Sequence, residues 1–235
     1  MLRPLPVPAL ASAAPAMAVL RASMVTKLYG STIALWRADF DAKSGELVAL
    51  EGPNASGKTT LLRILAGLTA PTSGRVSWTG VAGDRGSRVA HVGHESHLYM
   101  ALTPLENLRL TAHLARRGVD AGMRVCDRLG LTPFVGTRCQ DLSSGTLRRV
   151  ALARALTADP DVLLLDEPFA SLDAAAARAT ADILVDLANV GRLVVLAAHE
   201  ESFVHDVATR IIRLDGGRIV ADDVLRPVSP AMLHA

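Results

Sequence analysis

Apolar positions along this chain follow two periodicities, and their alternation sets out an architecture. Glu46-Leu-Val-Ala-Leu-Glu51 is a short apolar-rich run closed at once by Gly52 and Pro53, the pattern of a buried strand ending in a loop. From Lys58, the spacing of Leu61, Leu62, Ile64, Leu65 and Leu68 is helical. It stops near Gly67, ahead of the turn-forming Ala70-Pro71-Thr72-Ser73-Gly74 and a short β segment over Arg75 to Thr79. Between about Leu98 and Ala158 the pattern is mostly helical. Leu105, Leu108, Leu110 and Leu114 are read as one face, and Leu147, Val150, Leu152 and Leu156 mark a further helix. Strand signals return at Val162 to Leu165, Leu193 to Ala198 and Ile211 to Leu214, with a helical run over Ala174 to Ala188 between the first two. Strands alternating with helices predict an α/β fold with a largely parallel sheet and crossover helices, into which a helical subdomain of about residues 97–158 is inserted.

Composition adds constraints. Half of the 235 residues are hydrophobic but only 3% are aromatic, so the core is built mainly from Ala, Val, Leu and Ile. Lys and Arg number 25 against 23 Asp and Glu, a formal net charge of +2. That balance gives no global electrostatic reason to expect a nucleic-acid partner. Cys126 and Cys139 form neither a C-x-x-C pair nor a disulfide framework and imply no metal site. Mean hydropathy is +0.29, yet the longest apolar runs fall far short of the roughly 18 residues of a transmembrane helix. Pro4, Pro6, Pro8 and Pro15 interrupt the apolar N-terminal stretch, which reads as a disordered leader over residues 1–22, with Met17 and Met24 as alternative starts. Residues 23–226 are then the folded domain and 227–235 a tail.

The chemistry is concentrated after the first buried strand. Gly52-Pro53-Asn54-Ala55-Ser56-Gly57-Lys58-Thr59-Thr60 satisfies G-x-x-x-x-G-K-[ST] and lies between a predicted strand and a predicted helix. Backbone N–H groups of such a loop and the helix N-terminus hold phosphate oxygens. Lys58 is placed to neutralise the β and γ phosphates, and the Thr59 hydroxyl to ligate Mg²⁺. The apolar run Val162 to Leu165 ends in Asp166 and Glu167. Asp166 suits a Mg²⁺ held partly through water, and Glu167 suits a general base on an attacking water. His199 follows the next strand, at the carboxyl edge where α/β sheets bind ligands.

With these residues in view, the chain resembles an ABC transporter nucleotide-binding domain from about Met24 to Ala221. Leu142-Ser143-Ser144-Gly145-Thr146, followed by Leu147-Arg148-Arg149-Val150-Ala151-Leu152-Ala153-Arg154, resembles the family signature L-S-G-G-Q and its helix. Ser171-Leu172-Asp173 resembles the loop after the catalytic glutamate, His199 the switch histidine, and Tyr29 the aromatic that stacks on adenine. The resemblance implies a P-loop NTPase: a RecA-like core, an antiparallel β edge near the N-terminus and the helical insert. It also implies ATP and Mg²⁺ as cofactors. Two copies meet head to tail in an ATP-dependent homodimer, or pair with a related subunit, so that Ser143, Ser144 and Gly145 of one chain face the ATP of the other. An integral membrane permease is the implied partner, at the cytoplasmic face of the cell membrane.

Three departures from the family pattern stand out. Ala55 replaces a usual glycine, which is acceptable only at negative φ. Ser144 and Thr146 replace the second glycine and the glutamine of the signature, which implies slow hydrolysis. Where a glutamine usually contacts Mg²⁺ and the membrane partner, the chain has Val92-Gly93-His94-Glu95, so Glu95 or His94 takes that role. Gly93-His94-Glu95, Leu102-Thr103-Pro104-Leu105-Glu106-Asn107-Leu108 and Asp166-Glu167-Pro168-Phe169 resemble the haem exporter ATP-binding subunits of cytochrome c maturation. The competing class is a soluble ABC-type ATPase of translation or DNA repair, but the paired ATP domains or long coiled coils usual there are missing from this sequence.

Overall fold

The structure is a computed structural model that describes residues 18–80, 89–198 and 202–225. Strands β1 (Val19–Tyr29), β2 (Thr32–Lys43) and β4 (Ser73–Thr79) form an antiparallel sheet in the order β2-β1-β4. Its inner face follows the two-residue period of a half-buried strand, with Leu20, Ala22 and Val25 of β1 and Leu35, Ala38, Phe40 and Ala42 of β2 all buried. The leader expected over residues 1–22 therefore ends too late. Residues 19–22 are strand, and Leu20 and Ala22 register against Ala42 and Phe40. Residues 1–17 and the tail at 227–235 lie outside the described residues.

The second sheet has the order β5 (Val89–Val92), β6 (Val162–Asp166), β7 (Leu193–Ala197), β3 (Leu47–Glu51), β8 (Arg210–Asp215), β9 (Arg218–Val224). All its pairings are parallel except β8 with β9. Every residue of β3, β6 and β7 is buried, as expected of parallel strands covered on both faces. Successive residues serve opposite cores. Val48, Leu50, Leu164 and Val195 pack with Leu61, Leu62 and Leu65 of α1 (Lys58–Leu65) and with the antiparallel sheet. Leu47, Ala49, Leu163, Leu165, Val194 and Leu196 face the other helices. Helix α1 is thereby clamped between the two sheets.

The insert comprises α2 (Pro104–Leu114), α3 (Asp120–Arg128) and α4 (Ser144–Thr157); α5 (Ala174–Asn189) and the short α6 (Ser202–Val207) follow. Thr103 and Glu106 close a capping box at the start of α2, with Pro104 in its first turn. The inward face of α2 runs through Leu108 and Ala112, whereas Leu114 is 74% exposed. Leu114 lies nine residues beyond Leu105, about two and a half turns at ~3.6 residues per turn, so it faces the side opposite Leu105. Helix α4 packs on both α2 and α3 and also against β5, joining the insert to the sheet. A buried ion network reinforces that joint. Arg192, 2% exposed, donates to Asp161 and, at 2.8 Å, to Asp159.

Candidate functional site

Strand β3 delivers the chain into the loop at Gly52, whose φ of 142° is combined with close backbone packing. A Cβ there would sit 2.0 Å from the Leu214 carbonyl oxygen, so no side chain fits. The loop ends at Gly57, the N-cap of α1, and the first amides of that helix have no carbonyl acceptor of their own. Ser56 Oγ is buried without a hydrogen-bond partner among the described residues. An orphaned hydroxyl at a helix N-terminus is suited to an anionic oxygen. Lys58 is 7% exposed, and its ammonium donates to the carbonyls of Gly52 at 2.6 Å and Pro53 at 3.0 Å. Burial lowers its pKa from the ordinary lysine value, opposed by the charges of Glu167 and Asp166. Ala55 corrects one expectation. Its φ is 62°, in the left-handed region rather than at negative φ, so the missing glycine is accommodated with strain.

The loop is tied to the end of β6. Thr59 Oγ1 donates to Asp166 Oδ1 at 3.1 Å, and Asp166 is 4% exposed. Among the described residues no group of three or more His, Cys, Asp or Glu side chains could hold a metal alone. One hydroxyl and one carboxylate in contact instead fit a hard cation that keeps its other positions for water and phosphate oxygens, as Mg²⁺ does. Glu167 follows at φ 49°, its N–H donating to the Ala197 carbonyl at 2.8 Å and its carbonyl accepting from Ala170 at 3.2 Å and from Arg148. The strained backbone lies beside the cation pair, where functional sites store such strain.

The remaining expected residues lie on other segments of the chain. The Glu95 side chain is 83% exposed and lies 3.9 Å from the His97 imidazole. The His94 carbonyl accepts from Arg148 at 3.3 Å. Tyr29, 49% exposed at the end of β1, has the Lys27 ammonium 5.0 Å from its ring centroid and presents an accessible aromatic ring. Ser143 caps α4 through the Thr146 N–H, and Ser143 and Ser144 are exposed. A Cβ at Gly145 would meet the Ser171 carbonyl oxygen at 2.4 Å, which explains the glycine there. Thr146, where the family signature has glutamine, is 5% exposed and bonded to Ser143 Oγ and Arg149. His199 lies outside the described residues.

The sequence reading assigned no role to Arg148, Glu51 or His205. Glu51, the last residue of β3, is 2% exposed and lies 2.7 Å from His205 on α6. That pairing spans separate elements, and no local motif announces it.

A glycine-bracketed loop between strand and helix, an inward-folded lysine and a hydroxyl–carboxylate pair at the end of β6 define a P-loop nucleotide-binding α/β protein. Residues 35–170 match the ABC transporter family, and the chain belongs to it. It is 34% identical over 211 residues to the glutamate/aspartate import ATP-binding protein GltL of Escherichia coli (strain K12), covering 84% of this chain and 88% of that protein. It is 36% identical over 183 residues to the cytochrome c biogenesis ATP-binding export protein CcmA of Dechloromonas aromatica (strain RCB), covering 75% and 90%. The dimeric post-hydrolysis state of the ATP-binding cassette MJ0796, bound to ADP and Pi, superposes with a TM-score of 0.80 at 29% identity, covering 88% of this chain and 99% of that one. The chain is accordingly an ABC-type ATPase, the ATP-binding subunit of an ABC transporter. No helix among the described residues is long and apolar enough to cross a membrane.

Proposed function

We propose that the chain powers transport of a cargo across the cytoplasmic membrane by hydrolysing ATP held between two copies of itself. The observation that carries this is the Thr59–Asp166 contact at 3.1 Å, which sets a cation-binding oxygen pair beside Lys58 and Glu167. Residues Gly52 to Thr60 receive the phosphates through backbone N–H groups, the Ser56 hydroxyl and Lys58, which leaves its loop carbonyls to do so. Thr59 and Asp166 hold Mg²⁺, which when bound screens the phosphate charge. Glu167 takes the proton of the attacking water and Tyr29 stacks on the adenine, while the contact to the γ-phosphate is assigned from sequence to His199, outside the described residues. Ser143, Ser144 and Gly145, at the N-terminus of α4, close the ATP site of the second copy.

Replacing Glu167 with Gln is expected to leave ATP binding intact while slowing hydrolysis by roughly two to four orders of magnitude. Lys58→Ala should weaken ATP binding itself, read by calorimetry. Unchanged turnover in the first variant, or tight binding in the second, contradicts these roles.

An integral membrane permease at the cytoplasmic face is the partner. Tyr99 and Met100, 58% and 40% exposed beside the His94–Glu95 loop, suit a docking helix, whereas Leu98, 7% exposed, belongs to the core. Haem export in cytochrome c maturation is the cargo reading, supported by Gly93-His94-Glu95 and by the CcmA similarity. Import of a small solute is the second reading, favoured by the similarity to GltL over 84% of the chain. Disrupting the gene separates them: loss of c-type cytochromes supports export of haem, and loss of solute uptake supports import.

A further inference from the structure

Arg148 ties the helix that carries it to two other segments. One terminal nitrogen donates to the carbonyl of Asp166 at 3.0 Å and to that of Glu167, and the other donates to the carbonyl of His94 at 3.3 Å. The first two acceptors belong to the residues that follow one another at the end of β6, and the third to the loop after β5. We propose that Arg148 is a positioning residue for hydrolysis, a clamp on the main chain of Glu167 that makes the reaction conditional on where α4 lies against β6. The inference rests on the reading of Glu167 as the general base.

Glu167 has a φ of 49°, a conformation that side-chain-bearing residues keep only when their surroundings hold them there. Its N–H is fixed by the Ala197 carbonyl of β7, and its carbonyl by Ala170 and Arg148. The first contact lies within the sheet and the second within the loop itself; Arg148 alone among them comes from the helical insert. A guanidinium suits the task because its planar fork can donate along two directions at once, which an ammonium at the end of a flexible stem does less well. The group is kept close to its targets by packing. Burial lowers its pKa from the ordinary arginine value, while Glu167 and Asp166 raise it, and it remains a cation.

A second contact makes the coupling mechanical. The start of α4 at Gly145 is pressed against the Ser171 carbonyl so closely that a Cβ would lie 2.4 Å away. Helix α4 therefore touches the segment after β6 at both Glu167 and Ser171. Between α4, Ser171 and the loop carrying His94 lies a cleft of about 210 Å³, lined in part by Arg148. A shift of α4 that opened or closed this cleft would carry the guanidinium with it. The carbonyl of Glu167 would lose a donor, and its carboxylate would lose its aim, without any change in the phosphate loop.

The test uses the full chain and three variants: Arg148→Met, which keeps the stem and removes the donors, Arg148→Lys, which keeps the charge, and Glu167→Gln as the control. In Arg148→Met, single-turnover hydrolysis should fall about ten- to a hundredfold, the scale of a misplaced catalytic group. ATP affinity should stay within about twofold, a loss confined to the chemical step. In the nucleotide-free chain, hydrogen exchange should quicken at the Ala170 amide but not at Leu164 in the middle of β6. Arg148→Lys should recover part of the rate. Wild-type hydrolysis in Arg148→Met, faster exchange throughout β6, or a lysine variant no better than the methionine one would overturn the proposal. If Glu167→Gln keeps full activity, the general-base reading fails and this inference with it. If that control is inactive while Arg148→Met is not, this inference alone fails.

Discussion

At the scale of single residues, Ala55 shows how a loop motif tolerates a substitution it does not favour. Its φ of 62° places a Cβ in a region that costs an L residue about 1–2 kcal/mol, where glycine is unstrained. Ala55→Gly should relieve that strain, offset in part by the greater freedom glycine has in the unfolded chain, worth about 0.4–1 kcal/mol. The net gain should raise the melting temperature by a few degrees, on the scale of about 2–4 °C per kcal/mol for a domain of this size. A lower melting temperature in Ala55→Gly would show that the backbone relaxes around alanine at no cost. The loop as a whole was legible because G-x-x-x-x-G-K-T is contiguous and its backbone does the binding. What each position endures is not. The sign of φ at Ala55 depends on how the whole loop is held, and the Glu51–His205 contact joins residues that no local motif relates.

Elements differ in how far their pattern reveals them. The wholly apolar cores of β6 and β7, and the matching interior of β3, stand out from flanking polar residues, so those strands fall where they were expected. The start of β1 was hidden because Leu20 and Ala22 alternate with exposed residues directly after a proline-rich stretch, and only pairing with β2 reveals them as strand. The face of α2 was misjudged at Leu114 because counting leucines ignores their angle around the helix. The joint between insert and sheet was invisible in sequence, since Arg192 meets Asp159 and Asp161 only once β6 and β7 lie side by side. Removing one member of such a buried pair costs about 3–5 kcal/mol. Edge strand β5 carries a pH-dependent element of its own. His91 is half-buried with its Nε2 unpartnered among the described residues, and burial lowers its pKa from 6.5, aided by Arg63 and His97 and opposed by Asp166. The folded chain therefore keeps this imidazole neutral where the unfolded chain begins to protonate it. Its contribution to stability is full above about pH 6.5 and declines as the pH falls below that value. Thermal melts of wild type and His91→Gln should diverge on acidification, the wild type losing more. Parallel curves from pH 8 to 5 would remove His91 from the account.

For the whole molecule, the central feature is that one chain holds one phosphate loop and one signature segment, each at a different element: the first at the start of α1, the second at the start of α4. Ser143 and Ser144 are exposed at that second place while Thr146 is turned inward, so in the proposed dimer contact with another chain's nucleotide would fall to the serines and the α4 N-terminus rather than to the position where the family has glutamine. The cassette MJ0796, alike in fold with a TM-score of 0.80, is dimeric in its ADP-bound and Pi-bound state. Two such chains, each clamping ATP between its own Lys58 and the other's Ser144, would associate when ATP is bound and separate once it is hydrolysed, a population shift driven by the nucleotide. The most direct measurement is the sedimentation velocity of the Glu167→Gln chain with and without ATP and Mg²⁺. The expected result is a species of twice the 24.7 kDa chain mass that forms only with ATP and is lost in a Ser144→Arg variant that still binds ATP as a monomer. A chain that binds ATP and stays monomeric at every concentration, or dimerises equally without it, would contradict the shared site.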